Sequence, residues 1–248
     1  MRSILYLAST SVLALGLACA GPAFATTGPA DQNAAGNAAQ GQSPTRVEIN
    51  NDLHKAGVTD RRSVRAHVVW AQSPSGLSVV FLIGPANMQA GKSTGNFDEN
   101  KLRSDLSNAG FKNIDFARSP EVLRGAYSRG REILAFESEF GARPAVQYVD
   151  ARKLETELHK AGLSDSNEVS GQLFRAETPI SKTWFVLVAP KNLTGKNSAR
   201  LSDNSIDKFE RNGFIDSSMY DTDIAVVHGR LNNLDVIAVA GSNIGPTA

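Results

Sequence analysis

Apolar positions along this chain follow two periods, and the same series of periods occurs twice. Ile49, Leu53 and Ala56 fall on one helical stripe, as do Leu154, Leu158 and Ala161; this three-to-four-residue spacing turns one helix face to a core. Thr45 with Glu48 three residues on reads as a capping box, Asp150 caps the second helix, and Gly57 and Gly162 suit the left-handed turn at a helix C-terminus. Val64, Ala66, Val68 and Trp70 alternate as a half-buried strand, and 79–83 forms a continuous apolar strand ended by Gly84-Pro85. A second helix is predicted over 99–109, with Leu102, Leu106 and Ala109 inward, followed by a strand over 114–117. A hairpin closes the series, with strands over 122–127 and 132–137 and a turn at Arg129-Gly130. Its later counterpart spans 225–231 and 235–240 about Asn232-Asn233.

The repetition extends to residue identity. Leu53-His54-Lys55-Ala56-Gly57 recurs 105 residues later as Leu158-His159-Lys160-Ala161-Gly162, and the same offset aligns Val80-Phe81-Leu82-Ile83-Gly84-Pro85 with Phe185-Val186-Leu187-Val188-Ala189-Pro190. At an offset of 103, Ala109-Gly110-Phe111 meets Asn212-Gly213-Phe214, and Ile133-Leu134-Ala135-Phe136 meets Val236-Ile237-Ala238-Val239. The expected fold is α+β: a tandem duplication of a helix-strand-strand-helix-strand-strand-strand unit, with mainly antiparallel sheets and helices packed on one face. The two units occupy 45–141 and 142–248, and whether they share a sheet is left open by the pattern.

Ahead of them the chain changes character. Residues 1–25 carry Arg2, an apolar run from Ile4 to Ala20 and the small-x-small sequence Ala23-Phe24-Ala25, which together read as a signal peptide. Cys19 follows Gly16-Leu17-Ala18, where a lipoprotein site wants an aliphatic residue in place of Gly16, so cleavage after Ala25 is expected. The apolar run is too short for a comfortable span and no second run of membrane length follows, so no transmembrane segment is expected. Residues 26–44 are dominated by Ala, Gly, Gln, Asn and Pro and form a flexible spacer. The expected address is periplasmic or secreted.

Composition narrows the function classes. The 248 residues hold 26 Lys+Arg against 25 Asp+Glu; loss of Arg2 with the leader leaves 25 of each, and Cys19, the only cysteine, leaves too. A neutral chain lacks the basic surplus of nucleic-acid binders, so no nucleic-acid partner is expected. Arg124, Arg129 and Arg131 make the first hairpin basic, which would at most bias an acidic partner locally.

The chemical motifs each meet a plainer reading. Gly91-Lys92-Ser93 follows a strand and precedes a helix, but Ala86 stands where a phosphate-binding loop needs its first Gly, and no nucleotide cofactor is implied. His54 and His159 recur in the last turns of equivalent helices, where a His complements the helix dipole; with no cysteine and no carboxylate at a completing spacing, no metal is expected. His67 is a candidate base on a half-exposed strand, but its counterpart is Gln172; His228 aligns with Gly125. Asp221 and Asp223 read as a solvated turn, and Trp70 and Trp184 as core residues, with a sugar-stacking platform as the sharper alternative. The repeated Pro-x-Asn segments, Pro85 to Asn87 and Pro190 to Asn192, are the duplicated loops at which a binding module would keep contacts, so Asn87 and Asn192 are the candidate binding residues; a turn with Asn bonding its own backbone is the plainer alternative.

Gly84-Pro85, followed by a helix ending in Asn108-Ala109-Gly110-Phe111, resembles SPOR domains over about 35 residues per copy. That resemblance implies peptidoglycan glycan strands as ligand; the additional final hairpin departs from the family. The leading expectation is a secreted or periplasmic non-enzymatic protein that binds an unidentified partner or an envelope component. The alternatives are a periplasmic enzyme with His67 in a site between the two repeats, and a peptidoglycan-binding module.

Overall fold

The computed structural model describes residues 44–95, 97–118, 121–128, 130–138, 149–177, 183–193, 201–216 and 224–241. The predicted leader, the spacer as far as residue 43, the Arg129 turn position, the segment around Lys196, and Asp221 and Asp223 lie outside them. The side chain of Thr45, half of the predicted capping box, does too.

Among the described residues the chain forms four helices and twelve antiparallel strands in two six-stranded sheets, an α+β fold. In chain order these are α1 (Pro44–Lys55), β1 (Thr59–Val64), β2 (His67–Gln72), β3 (Ser78–Gly84), α2 (Glu99–Asn108), β4 (Lys112–Phe116), β5 (Val122–Tyr127) and β6 (Arg131–Ser138). The series continues with α3 (Ala151–Lys160), β7 (Ser164–Glu168), β8 (Gln172–Glu177), β9 (Thr183–Pro190), α4 (Asp203–Glu210), β10 (Ile215–Asp216), β11 (Ile224–Leu231) and β12 (Leu234–Gly241). A short 3₁₀ turn follows β3 at Ala86–Met88 and β9 at Lys191–Leu193.

Neither half of the chain owns a sheet. The first sheet runs β1-β5-β6-β9-β8-β10 and the second β4-β2-β3-β12-β11-β7, so each joins three strands from each half. The seams are β6 on β9, from Arg131 opposite Pro190 to Ser138 opposite Thr183, and β3 on β12, from Gly84 opposite Asp235 to Ser78 opposite Gly241. Both central pairs read as continuous apolar runs because both of their faces are covered. Inward faces of the two sheets meet in a shared core of Val80, Leu82, Ile237 and Val239 from one and Leu134, Phe136, Phe185 and Leu187 from the other. The outer face of the second sheet packs Val79, Phe81 and Ala238 against Leu102 and Leu106 of α2 and Leu154 and Leu158 of α3. The outer face of the first packs Leu123, Ile133, Phe174 and Trp184 against Ile49 and Leu53 of α1 and Phe209 of α4.

The structure divides one predicted strand. Val64, Ala66, Val68 and Trp70 do face the shared core, but the chain crosses from the first sheet to the second at Arg65-Ala66, so that Val64 belongs to β1 and Val68 to β2. Each predicted series therefore gains a strand, β1 or β7, whose sequences TDRRSV and SDSNE carry no apolar alternation because they are sheet edges. Asp60 and Asp165 adopt φ of 49°, beside breaks in the register of β1 on β5 and β7 on β11. Such bulges with polar side chains keep an edge from pairing further. Elsewhere the helix signals hold: the Asp150 carboxylate accepts from the N–H groups of Arg152 and Lys153, and Gly57 and Gly162 take φ of 98° and 91°.

Candidate functional site

Two polar places stand out, one interior and one open. The interior one forms where the alternation of four strands turns charged residues inward. Glu132 begins the inward row Glu132, Leu134, Phe136 of β6, and Asp235 begins the row Asp235, Ile237, Val239 of β12; both carboxylates are buried. Burial of an ionised carboxylate requires partners, and each has them. Arg124 Nε donates to Glu132 Oε2 at 3.0 Å, and its Nη2 bonds the same oxygen. His228 Nε2 stands 3.6 Å from Asp235 Oδ2, and Arg230 Nε 3.8 Å from Asp235 Oδ1.

Asn87 joins the two pairs through its backbone. Its N–H donates to Asp235 Oδ2, and its carbonyl accepts from Arg124 Nη1. Its φ of 54° is left-handed, as is the 61° of Asn192, a conformation that Asn tolerates better than most residues. Burial pushes the Asp235 pKa up, but His228, the Asn87 N–H and the charge of Arg230 outweigh it and leave the group below its ordinary value. The arrangement clamps the Ala86–Met88 turn to both sheets, with Met88 buried in the shared core.

Three residues singled out from sequence, Asn87, Arg124 and His228, thus meet in one cluster. Asn192 lies in the corresponding turn after β9, in the other sheet. Strand register corrects the alignment of His228: Gly125 pairs with Ile133 and Gly229 with Val236, so His228 matches Arg124 and Gly125 matches Gly229. Glu132 and Asp235 were missed, although a lone acid at an inward position of an apolar strand was the available signal.

The open place is a cleft of about 720 Å³ lined by Arg65, Ala66, His67, Thr94, Glu99, Phe116, Ala117 and Arg118. The crossing between sheets supplies Arg65 and Ala66, the first residue of β2 supplies His67, and the first turn of α2, capped by Asp98, supplies Glu99. The end of β4 completes it, since Phe116 pairs with Val69 and the Ala117 N–H donates to the Val68 carbonyl at 2.9 Å. The His67 ring stacks on Phe97 with centroids 4.0 Å apart, and its Nε2 lies 3.3 Å from Thr94 Oγ1. Burial lowers the His67 pKa, partly opposed by the negative charge of Glu99, so the imidazole is mainly neutral at pH 7. All lining residues come from 65–118, which places His67 within the first half and away from the seams between halves. At the matching position Gln172 Nε2 donates to Asp216 Oδ2 at 2.7 Å.

The remaining candidates take structural places. His54 is on α1 and His159 on α3, helices that cover different sheets, so they do not converge; His54 Nδ1 lies 3.2 Å from Arg61 Nη1, and His159 Nε2 lies 2.8 Å from Ser166 Oγ. Among the described residues no group of three His, Cys, Asp or Glu is placed to hold a metal ion. Trp70 is buried in the shared core and Trp184 beneath the helices on the first sheet, so neither ring offers a face to a sugar. Arg124 of the predicted basic hairpin points inward to Glu132. No helix among the described residues is long and apolar enough to cross a membrane. Comparison with known proteins gives no matching family model, no matching curated protein and no matching solved structure.

Proposed function

We propose that the chain is a non-enzymatic binding protein of the periplasm or the cell exterior, with the cleft around His67 as its ligand seat. The observation that carries this reading is the cleft itself. Its volume of about 720 Å³ falls in the range of small-molecule sites, and guanidinium, hydroxyl, imidazole and carboxylate groups converge on it. The address rests on residues 1–25 and is tested by cell fractionation: protein retained in the cytoplasm with residues 1–25 uncleaved overturns it. Binding is tested by amide chemical-shift mapping with small metabolites and with soluble peptidoglycan fragments. Saturable shifts at Ala66, His67 and Thr94 support the reading, and a cleft silent to every probe overturns it. Retention on purified cell-wall glycan, abolished by substitutions in the cleft, would make the envelope the partner.

A second reading, an enzyme with His67 as general base, is favoured by the neutral imidazole that the cleft holds near Glu99. It moves the proposed reacting site from between the halves into the first half. Any activity found should fall at least a hundredfold in His67→Ala; an unchanged rate removes this assignment.

A further inference from the structure

We propose that the cleft is built for a small hydroxylated organic carboxylate, held by Arg65 and Arg118, an inference that rests on the binding reading above. Both arginines are exposed at the cleft, and among the described residues neither has a hydrogen-bond or ion-pair partner. This contrasts with Arg124, which is spent on Glu132, and with Arg103, which donates to the Ile114 carbonyl at 2.5 Å and lies 4.8 Å from the centre of the Phe116 ring. A guanidinium is permanently charged and presents several donors in a plane, the geometry that matches an oxyanion. Two of them against the single carboxylate of Glu99 leave the cleft cationic, with His67 neutral at pH 7.

The other lining groups say what accompanies the charge. Glu99 offers an acceptor, and Thr94 and His67 offer hydroxyl and imidazole groups already within reach of each other. A ligand with hydroxyl donors beside its carboxylate satisfies Glu99, whereas a compact multivalent phosphate would leave that carboxylate facing like charge. The second half lacks the set: the positions 105 residues after Arg65 and His67 are Ser170 and Gln172, and Gln172 is held by Asp216.

The test is calorimetric titration of the purified protein with D-glucuronate, D-glucose and inorganic phosphate, in 50 and 500 mM NaCl. Glucuronate is expected to bind saturably, at least tenfold more tightly than either comparator, and to weaken several-fold in the higher salt. Arg65→Ala with Arg118→Ala should abolish most of that affinity, whereas Lys208→Ala on α4 should leave it unchanged; circular dichroism checks that each variant is folded. Glucose bound as tightly as glucuronate overturns the carboxylate inference and leaves the binding reading standing. Phosphate bound more tightly overturns the ligand class, and undiminished affinity in the double variant overturns the site. If glucuronate fails to bind while chemical-shift mapping finds another occupant of the cleft, only this inference falls; if nothing occupies the cleft, both fall.

Discussion

Glu132 and Asp235 occupy the same place on the inward faces of the two sheets, opposite Ala189 and Gly84 at the ends of the central strands β9 and β3, and they keep different company. Glu132 is neutralised by one arginine, a permanent charge whose side chain is itself largely buried. Asp235 is held by a backbone N–H, an imidazole and a mostly exposed guanidinium. One site is therefore an obligate ion pair, and the other a carboxylate with several weaker partners. The contrast shows that matching places in the two sheets need not share their electrostatics: each holds a paired acid, and the pairings differ.

The largest effects should come from removing the acids. Glu132→Ala strands the Arg124 charge and is expected to cost about 3 kcal/mol. Asp235→Ala leaves an arginine that can reach water, and should cost roughly 1–3 kcal/mol. Urea denaturation of both variants measures the difference, and a greater loss in Asp235→Ala would reverse the comparison. Gly125 and Gly229 test whether the surroundings of the two pairs are equally tight. A Cβ would meet Val58 Cγ1 at 2.5 Å in one and Leu163 Cγ at 2.8 Å in the other, each also 3.0 Å from a carbonyl oxygen. Alanine at either should cost about 1–3 kcal/mol, and a neutral substitution at one would show that its side of the fold yields.

Smaller effects are expected at the linking turn. Asn87→Ala keeps both backbone bonds but forces alanine into the left-handed region, at about 1 kcal/mol, whereas Asn87→Gly should be nearly neutral. Equal losses in both variants would point to a role for the Asn87 side chain, whose hydrogen bonds among the described residues are all made by its backbone. The smallest effects are those of pH. The folded pKa of Asp235 lies below the ordinary 3.8, so its contribution is complete above that value and is lost as pH falls below it. Asp235→Asn should flatten this limb of a stability-pH curve. The folded pKa of His67 also lies below its ordinary 6.5, so here the unfolded chain binds the proton more readily. Stability then falls as pH drops through the window just beneath 6.5, and His67→Gln, which copies the residue of the second half, should remove that slope.

Much of this was legible in the pattern. The stripes Ile49-Leu53-Ala56 and Leu154-Leu158-Ala161 mark helices that do pack on sheets, and the apolar runs ending at Gly84-Pro85 and Ala189-Pro190 mark central strands. The edge strands β1 and β7 were not legible, because an edge held by backbone bonds needs no apolar side chain. The exchange of strands between sheets was hidden as well: a strand that changes sheet without changing face keeps its alternation intact. Asn87 was found for its turn, but the structure places its backbone, not its side chain, at the centre of the cluster. The cleft escaped notice because Arg65, Glu99 and Arg118 are far apart in sequence and ordinary where they stand.

The shared sheets also carry a consequence for timing. Strand β12 (Leu234–Gly241) lies in the middle of its sheet between β3 and β11, so the second sheet cannot join its two halves until that strand has docked on β3, about 150 residues earlier in the chain. Contacts this distant in sequence are slow to form, and the first half alone would expose the apolar edge of β3.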